Sequence, residues 1–120
     1  MRTAVVTLLF FPMIVMGQEA APSGEGIHWL SMEQMQDALR SDPRPVLVDV
    51  YTQWCGPCMM LSAHTFTDPW VVDYINAHYH AVRFDAQSGD PVMYKGHQYL
   101  NPTFDPAKVG TRNGTHQLTY

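Results

Sequence analysis

Cysteine is nearly missing from this sequence: there are two in 120 residues. Two cannot build a multi-disulfide scaffold or a four-cysteine zinc site. Basic residues are also few, 7 against 11 acidic, for a formal net charge of −4. A nucleic-acid binder carries a basic footprint, and this chain has none. Charged residues make up 15% of the chain and hydrophobic ones 46%, the reverse of an intrinsically disordered composition. Nor is there an apolar run of the about 20 residues that a membrane-spanning helix needs. The longest is the run of 13 over residues 4 to 16. Repeats and low-complexity tracts are absent, and the length leaves room for one small domain.

That short apolar run follows a positive start, Met1-Arg2, and precedes Val15-Met16-Gly17, compact residues of the kind a signal peptidase reads. The three-part pattern predicts a cleaved secretory signal over residues 1–17. An uncleaved membrane anchor is the competing reading. No cysteine follows the run, so a lipid anchor is not expected there. Residues 18–26, rich in Gly, Ser, Pro and Glu, read as a flexible leader. The folded domain is expected over 27–120.

Within it, Ser31 followed by Gln34 predicts a capping box, with Leu30 and Met35 as its hydrophobic staple. Met35, Ala38 and Leu39 continue at helical spacing, and Pro43 and Pro45 end the helix. Val46 to Tyr51 is a near-continuous apolar run, the pattern of a strand buried on both faces. Its exception is Asp49, whose carboxylate would cost several kcal/mol there unless paired or protonated. A second helix is expected over Pro57–Phe66. Thr67-Asp68-Pro69 interrupts it and caps a third, with Val71, Val72, Ile75 and Tyr79 as its apolar stripe. His80–Phe84 reads as a strand ending at Asp85, parallel to the first because a helical crossover joins them. Val92–Tyr94 and His97–Leu100 flank Lys95-Gly96 as a small hairpin. Residues 101–114 read as loop, and 115–120 as the first turn of a further helix.

The chemistry lies in Trp54-Cys55-Gly56-Pro57-Cys58. A bond between cysteines three apart closes a very small loop and stabilises little, so the pair is better explained by redox exchange than by stapling. Exchange needs one thiol to attack a disulfide and a second to resolve the mixed disulfide. Cys55, after a strand and at a helix start, faces unpaired backbone N–H groups that favour its thiolate. It is expected to be the more exposed thiol and the nucleophile, with Cys58 one turn inward as resolver. Pro57 fixes the first turn, and Trp54 shields the site and offers an apolar contact to substrate. Asp49, six residues before Cys55, is a candidate acceptor for the Cys58 proton, its pKa raised by burial. A strand-end Asp bonded to backbone or water is the plainer alternative.

Val48 to Cys58 resembles the active-site strand and turn of the thioredoxin superfamily. The Asp six before the first Cys, the preceding Trp and the Gly-Pro pair all match. Thr65-Phe66-Thr67-Asp68-Pro69 and Val71 are similar to the segment after the active-site helix in exported thioredoxin-like proteins. Among these is the C-terminal domain of the transmembrane thiol:disulfide interchange reductases. Arg83 falls where thioredoxins often carry a Lys near the buried Asp. The resemblance covers residues 27 to about 86.

It implies an α/β thioredoxin-like fold and a protein-disulfide oxidoreductase with a redox-active Cys55–Cys58 disulfide. Gly-Pro between the cysteines resembles the reducing members, so a reductase outside the cytosol, periplasmic or secreted, is expected, with oxidase or isomerase activity as the alternative directions. The implied partners are disulfide-containing protein substrates and a membrane electron-donor reductase. No nucleic acid, cofactor or metal is expected, and the chain should be a monomer. The superfamily also places a cis-Pro loop, a hairpin and a last helix after this half. Asn101-Pro102 and Asp105-Pro106 sit in loop sequence with no buried strand after them. The fold is therefore expected to be incomplete, with a core over 27–86, an insertion over 87–114 and the start of a helix over 115–120.

Two rival readings stand beside this one. Cys55, Cys58, His64, His78, His80 and His97 are potential metal ligands, with Met59 and Met60 as soft ones. No His pair has a finger spacing with the single CxxC, and haem attachment would need His where Met59 stands. A non-catalytic thioredoxin-like module, or an inactive fragment, is the second. Apart from these, Asn113-Gly114-Thr115 matches a glycosylation acceptor, which bears only on a eukaryotic source.

Overall fold

The computed structural model describes residues 24–120. The expected signal segment and most of the leader lie outside them. The chain runs β1 (Trp29–Leu30), α1 (Met32–Ala38), β2 (Val46–Tyr51), α2 (Gly56–Met60), α3 (Pro69–His78), β3 (His80–Asp85), β4 (Val92–Tyr94) and β5 (His97–Tyr99). A π-helical turn over Leu61–Thr65 joins α2 to α3. The main sheet has the order β1-β3-β2, all parallel, with helices packed against it, in keeping with a thioredoxin-like topology. β1 is an addition to the sequence reading; two residues are too few to show a period.

Local signals set the first elements. Ser31 Oγ accepts from Gln34 N–H at 3.1 Å, and Gln34 Oε1 accepts from Ser31 N–H at 2.9 Å, which completes the capping box. Ser31→Ala should lower the unfolding free energy by about 1 kcal/mol, read from urea denaturation. Asp68 caps α3, its Oδ1 accepting from Trp70 N–H at 3.0 Å and Val71 N–H at 3.2 Å. Val72 and Ile75 on α3 pack with Ile27 and Ala81 as one core cluster, walled by Leu47, Phe66 and Tyr79.

The expected second helix breaks in two. Phe66 N–H bonds to Leu61 C=O at 3.0 Å, five residues back, and Thr67 Oγ1 donates to Ala63 C=O at 2.7 Å. The bulge widens the helix just past the cysteine motif.

β2 departs from its sequence reading. Among the described residues it is an edge strand, bonded to β3 on one side only. Val48 and Val50 are 42% and 51% exposed, whereas Val82 and Phe84, their partners on β3, are buried. An apolar run signals that a strand belongs inside a sheet. It does not show which neighbour covers it, because pairing is non-local.

The hairpin forms as expected, Val92 opposite Tyr99 and Tyr94 opposite His97. Lys95 (φ 49°) and Gly96 (φ 76°) both take the left-handed conformation that its two-residue turn requires. It docks on α1, where Glu33 Oε1 accepts from Met93 N–H at 3.0 Å and Gln36 Oε1 from Lys95 N–H at 2.7 Å. The last segment makes a single 3-10 turn, Gln117–Thr119, capped by the fully buried His116, whose Nδ1 accepts from Leu118 N–H at 3.1 Å.

Candidate active site

β2 delivers the motif to the end of the sheet, and the chain turns there into α2. Cys55 is the N-cap of that helix, and its Sγ accepts from Cys58 N–H at 3.2 Å. Pro57 sits in the first turn. The cysteines are joined as a disulfide, S–S 1.98 Å with their Cα atoms 5.3 Å apart. Both are half-buried, so exposure does not rank them. What separates them is placement: Cys55 caps the helix and Cys58 lies within it. Gly56, Met59 and Met60 are exposed around them, which gives the pair an open apolar rim.

Asp49 lies on the face of β2 that turns toward α2 and α3. Its side chain is 8% exposed, and it has the counter-charge the strand alone lacked: Arg83 Nε is 3.3 Å from its Oδ2. Arg83 is its register partner on β3. The guanidinium also lies over the Tyr51 ring at 4.6 Å and donates to Ser62 Oγ at 2.5 Å. A cavity of about 340 Å³ opens between Cys58, Met59, Ser62, Tyr51 and Arg83. It joins the inner cysteine to Arg83, the partner of Asp49.

On the other side of the motif, Trp54 is 40% exposed and its indole N–H donates to Gln87 Oε1 at 2.8 Å. That oxygen also accepts from Asn113 N–H at 3.1 Å, and Gln87 Nε2 donates to Asn113 C=O at 3.0 Å. Arg112 lies over the Trp54 ring, 4.9 Å from its centre. The 101–114 loop is therefore fastened to the active-site tryptophan. Gln87, Arg112 and Asn113 were not singled out for this role, and no local pattern could have marked them, since the contacts span about 26 to 58 residues of chain.

Asn113 has a different task from the one its sequence suggests. Its Oδ1 accepts from Asp105 N–H and Gly114 N–H, both at 2.8 Å, and its Nδ2 donates to Asp105 C=O at 2.9 Å. The nitrogen a glycan would need holds the loop closed. Gly114 follows because a Cβ there would meet the Thr103 backbone at 2.4 Å.

The histidines are dispersed. His64 and His78 are exposed, His80 is buried with Nε2 2.7 Å from Asp42 C=O, and His97 packs on Tyr99. Among the described residues no three His, Cys, Asp or Glu side chains converge on a metal position.

Comparison with known proteins agrees with this geometry. A family model described as thioredoxin-like matches residues 28–104, past the end of the resemblance read from the sequence. The thiol:disulfide interchange protein DsbD 1 of Pseudomonas aeruginosa is 34% identical over 85 residues, which are 68% of this chain and 14% of that protein. The DsbD protein of Pectobacterium atrosepticum is 33% identical over 46 residues, 38% of this chain and 8% of its own. A thioredoxin-like protein of Synechocystis is 54% identical over 26 residues, 22% of this chain and 25% of its own. The chain thus spans a quarter or less of the length of these relatives.

Proposed function

Because the chain belongs to the thioredoxin-like family, we propose that it is a thiol–disulfide oxidoreductase that reduces protein disulfides outside the cytosol. The observation that carries this reading is the disulfide between an N-cap cysteine and the cysteine three residues on, at the end of a parallel strand. In the reduced protein the Cys55 thiolate attacks a substrate disulfide and releases one substrate thiol. Cys58 then attacks Sγ of Cys55, releases the second substrate thiol and leaves the Cys55–Cys58 disulfide. Two electrons pass from the dithiol to the substrate. Asp49 accepts the Cys58 proton through water in the cavity beside Arg83, and Trp54, Gly56 and Pro57 hold the turn in shape.

The dithiol must then be re-reduced. The likeness to thiol:disulfide interchange proteins supports a membrane reductase as electron donor. The signal-like start supports export, and the Gly-Pro pair supports the reducing direction. Acceleration of insulin precipitation by the reduced protein with dithiothreitol is the expected result, and no acceleration removes the reading of these residues as a self-sufficient oxidoreductase. Equilibration with glutathione should give a potential near the thioredoxin value of about −270 mV. A value near the strongly oxidising extreme of about −120 mV rejects the reducing direction.

The open edge of β2 favours a second reading of the chain's extent. Val48 and Val50 are exposed beside an apolar groove of about 600 Å³ that Met35, Leu39, Phe84 and Leu118 also line. Such an edge suits a further strand, and these residues would then be the first part of a larger thioredoxin-like domain. A folded, disulfide-bonded protein that is inert toward insulin would support this over a self-sufficient enzyme.

A further inference from the structure

Arg112 is the exception among the described arginines. Arg40 pairs with Asp37, Arg44 with Asp42 and Arg83 with Asp49. Arg112 has no carboxylate partner among the described residues; its guanidinium lies over the ring of Trp54, 4.9 Å from its centre, and Trp54 directly precedes Cys55. Stacking occupies the face of a guanidinium and leaves the fork of N–H donors at its edge free. That fork suits a carboxylate held bidentately.

The position is built rather than loose. Asn113, the next residue, is bonded to Gln87 through both its backbone N–H and its C=O, and its side chain is bonded to Asp105. Gly114 has no room for a Cβ. The indole beneath the guanidinium is tied to the same Gln87. A cation placed in advance forfeits little side-chain freedom when a ligand arrives. The protein as a whole carries a net charge of −4, so a positive group over the residue that precedes the dithiol marks a local preference against the general field.

We infer that Arg112 is a specificity-determining residue which grips an Asp or Glu side chain flanking the reactive cysteine of a polypeptide disulfide substrate. This rests on the oxidoreductase reading and adds the substrate class to it. Trp54 then serves as the platform that orients Arg112, and the 101–114 loop as one wall of the substrate cleft.

The test uses the full chain, pre-reduced, and three end-blocked peptides that differ only in the residue before one cysteine: Glu, Gln or Lys. Each cysteine is disulfide-linked to uncharged thiopyridine, whose release is followed by absorbance. At low salt the Glu peptide should react about fivefold faster than the Gln peptide and the Lys peptide more slowly than either, with the preference shrinking as salt rises. Arg112→Gln should bring the Glu-to-Gln ratio to about one, Arg112→Glu should invert it, and Arg112→Lys should restore part of it. A loop that merely loosened would slow all three peptides alike and leave the ratio standing. Equal rates in the unmodified protein, or a ratio that survives Arg112→Gln, overturn the inference while the redox reading stands. Reaction with none of the peptides overturns the redox reading and the inference with it.

Discussion

Cys58→Ser is expected to convert the protein into a trap. With the inner thiol gone, Cys55 still caps α2, and the backbone N–H of residue 58 that meets its Sγ at 3.2 Å is unchanged by the substitution. The first step, attack on a substrate disulfide, therefore proceeds. The second has no nucleophile, so substrate accumulates as a mixed disulfide on Cys55, visible as a dithiothreitol-sensitive shift on a non-reducing gel. Cys55→Ser should show neither trapping nor turnover of insulin. Cys58 lies inside the helical turn without the N-cap position, and it lines the cavity that Arg83 also lines. Trapping through Cys58 in the Cys55→Ser variant would reverse the two roles.

The motif was legible in the sequence because it is local. Cys55, Pro57 and Cys58 lie within one turn, and the strand that leads to them is a continuous run. The same holds for the Ser31–Gln34 box, the Asp68 cap and the Lys95-Gly96 turn, each written within four residues. What could not be read was everything that depends on pairing across the chain. Val48 and Val50 look like interior residues and lie at an open edge, because apolar patterning encodes burial and not the identity of a neighbour. Asp49 was visible as an anomaly, and Arg83 as a cation at a familiar place, but only the β2–β3 register puts them opposite each other. The 101–114 loop carries the composition of an irregular connection. Its order comes from Asn113, Gln87 and the buried His116, which use side-chain amides and a ring nitrogen where a strand would use backbone.

Asp49→Asn is expected to slow resolution about 10- to 100-fold while leaving the first attack by Cys55 nearly as fast as before. The substitution keeps the shape of the side chain and removes a base from behind Arg83, which lines the Cys58 cavity. A purely structural Asp49 predicts the opposite division, because loosening β2 would shift both cysteines and slow both steps together. Stopped-flow fluorescence of Trp54, which adjoins Cys55, can follow formation and decay of the mixed disulfide separately. Arg83 gives the second arm. Arg83→Gln removes the counter-charge from a carboxylate that is 8% exposed. Leaving that group unpaired should cost about 1–3 kcal/mol in urea denaturation, toward the lower end because the guanidinium itself is 34% exposed. Asp49→Asn removes the charge and the need for a partner together, so it should cost less stability than Arg83→Gln while costing more in resolution rate. The cavity of about 340 Å³ admits a further control. Formate, small enough to enter it, should restore part of the lost rate in Asp49→Asn and none in the unmodified protein. Equal resolution rates in the two proteins would take Asp49 out of the proton path and leave it as the anchor of Arg83.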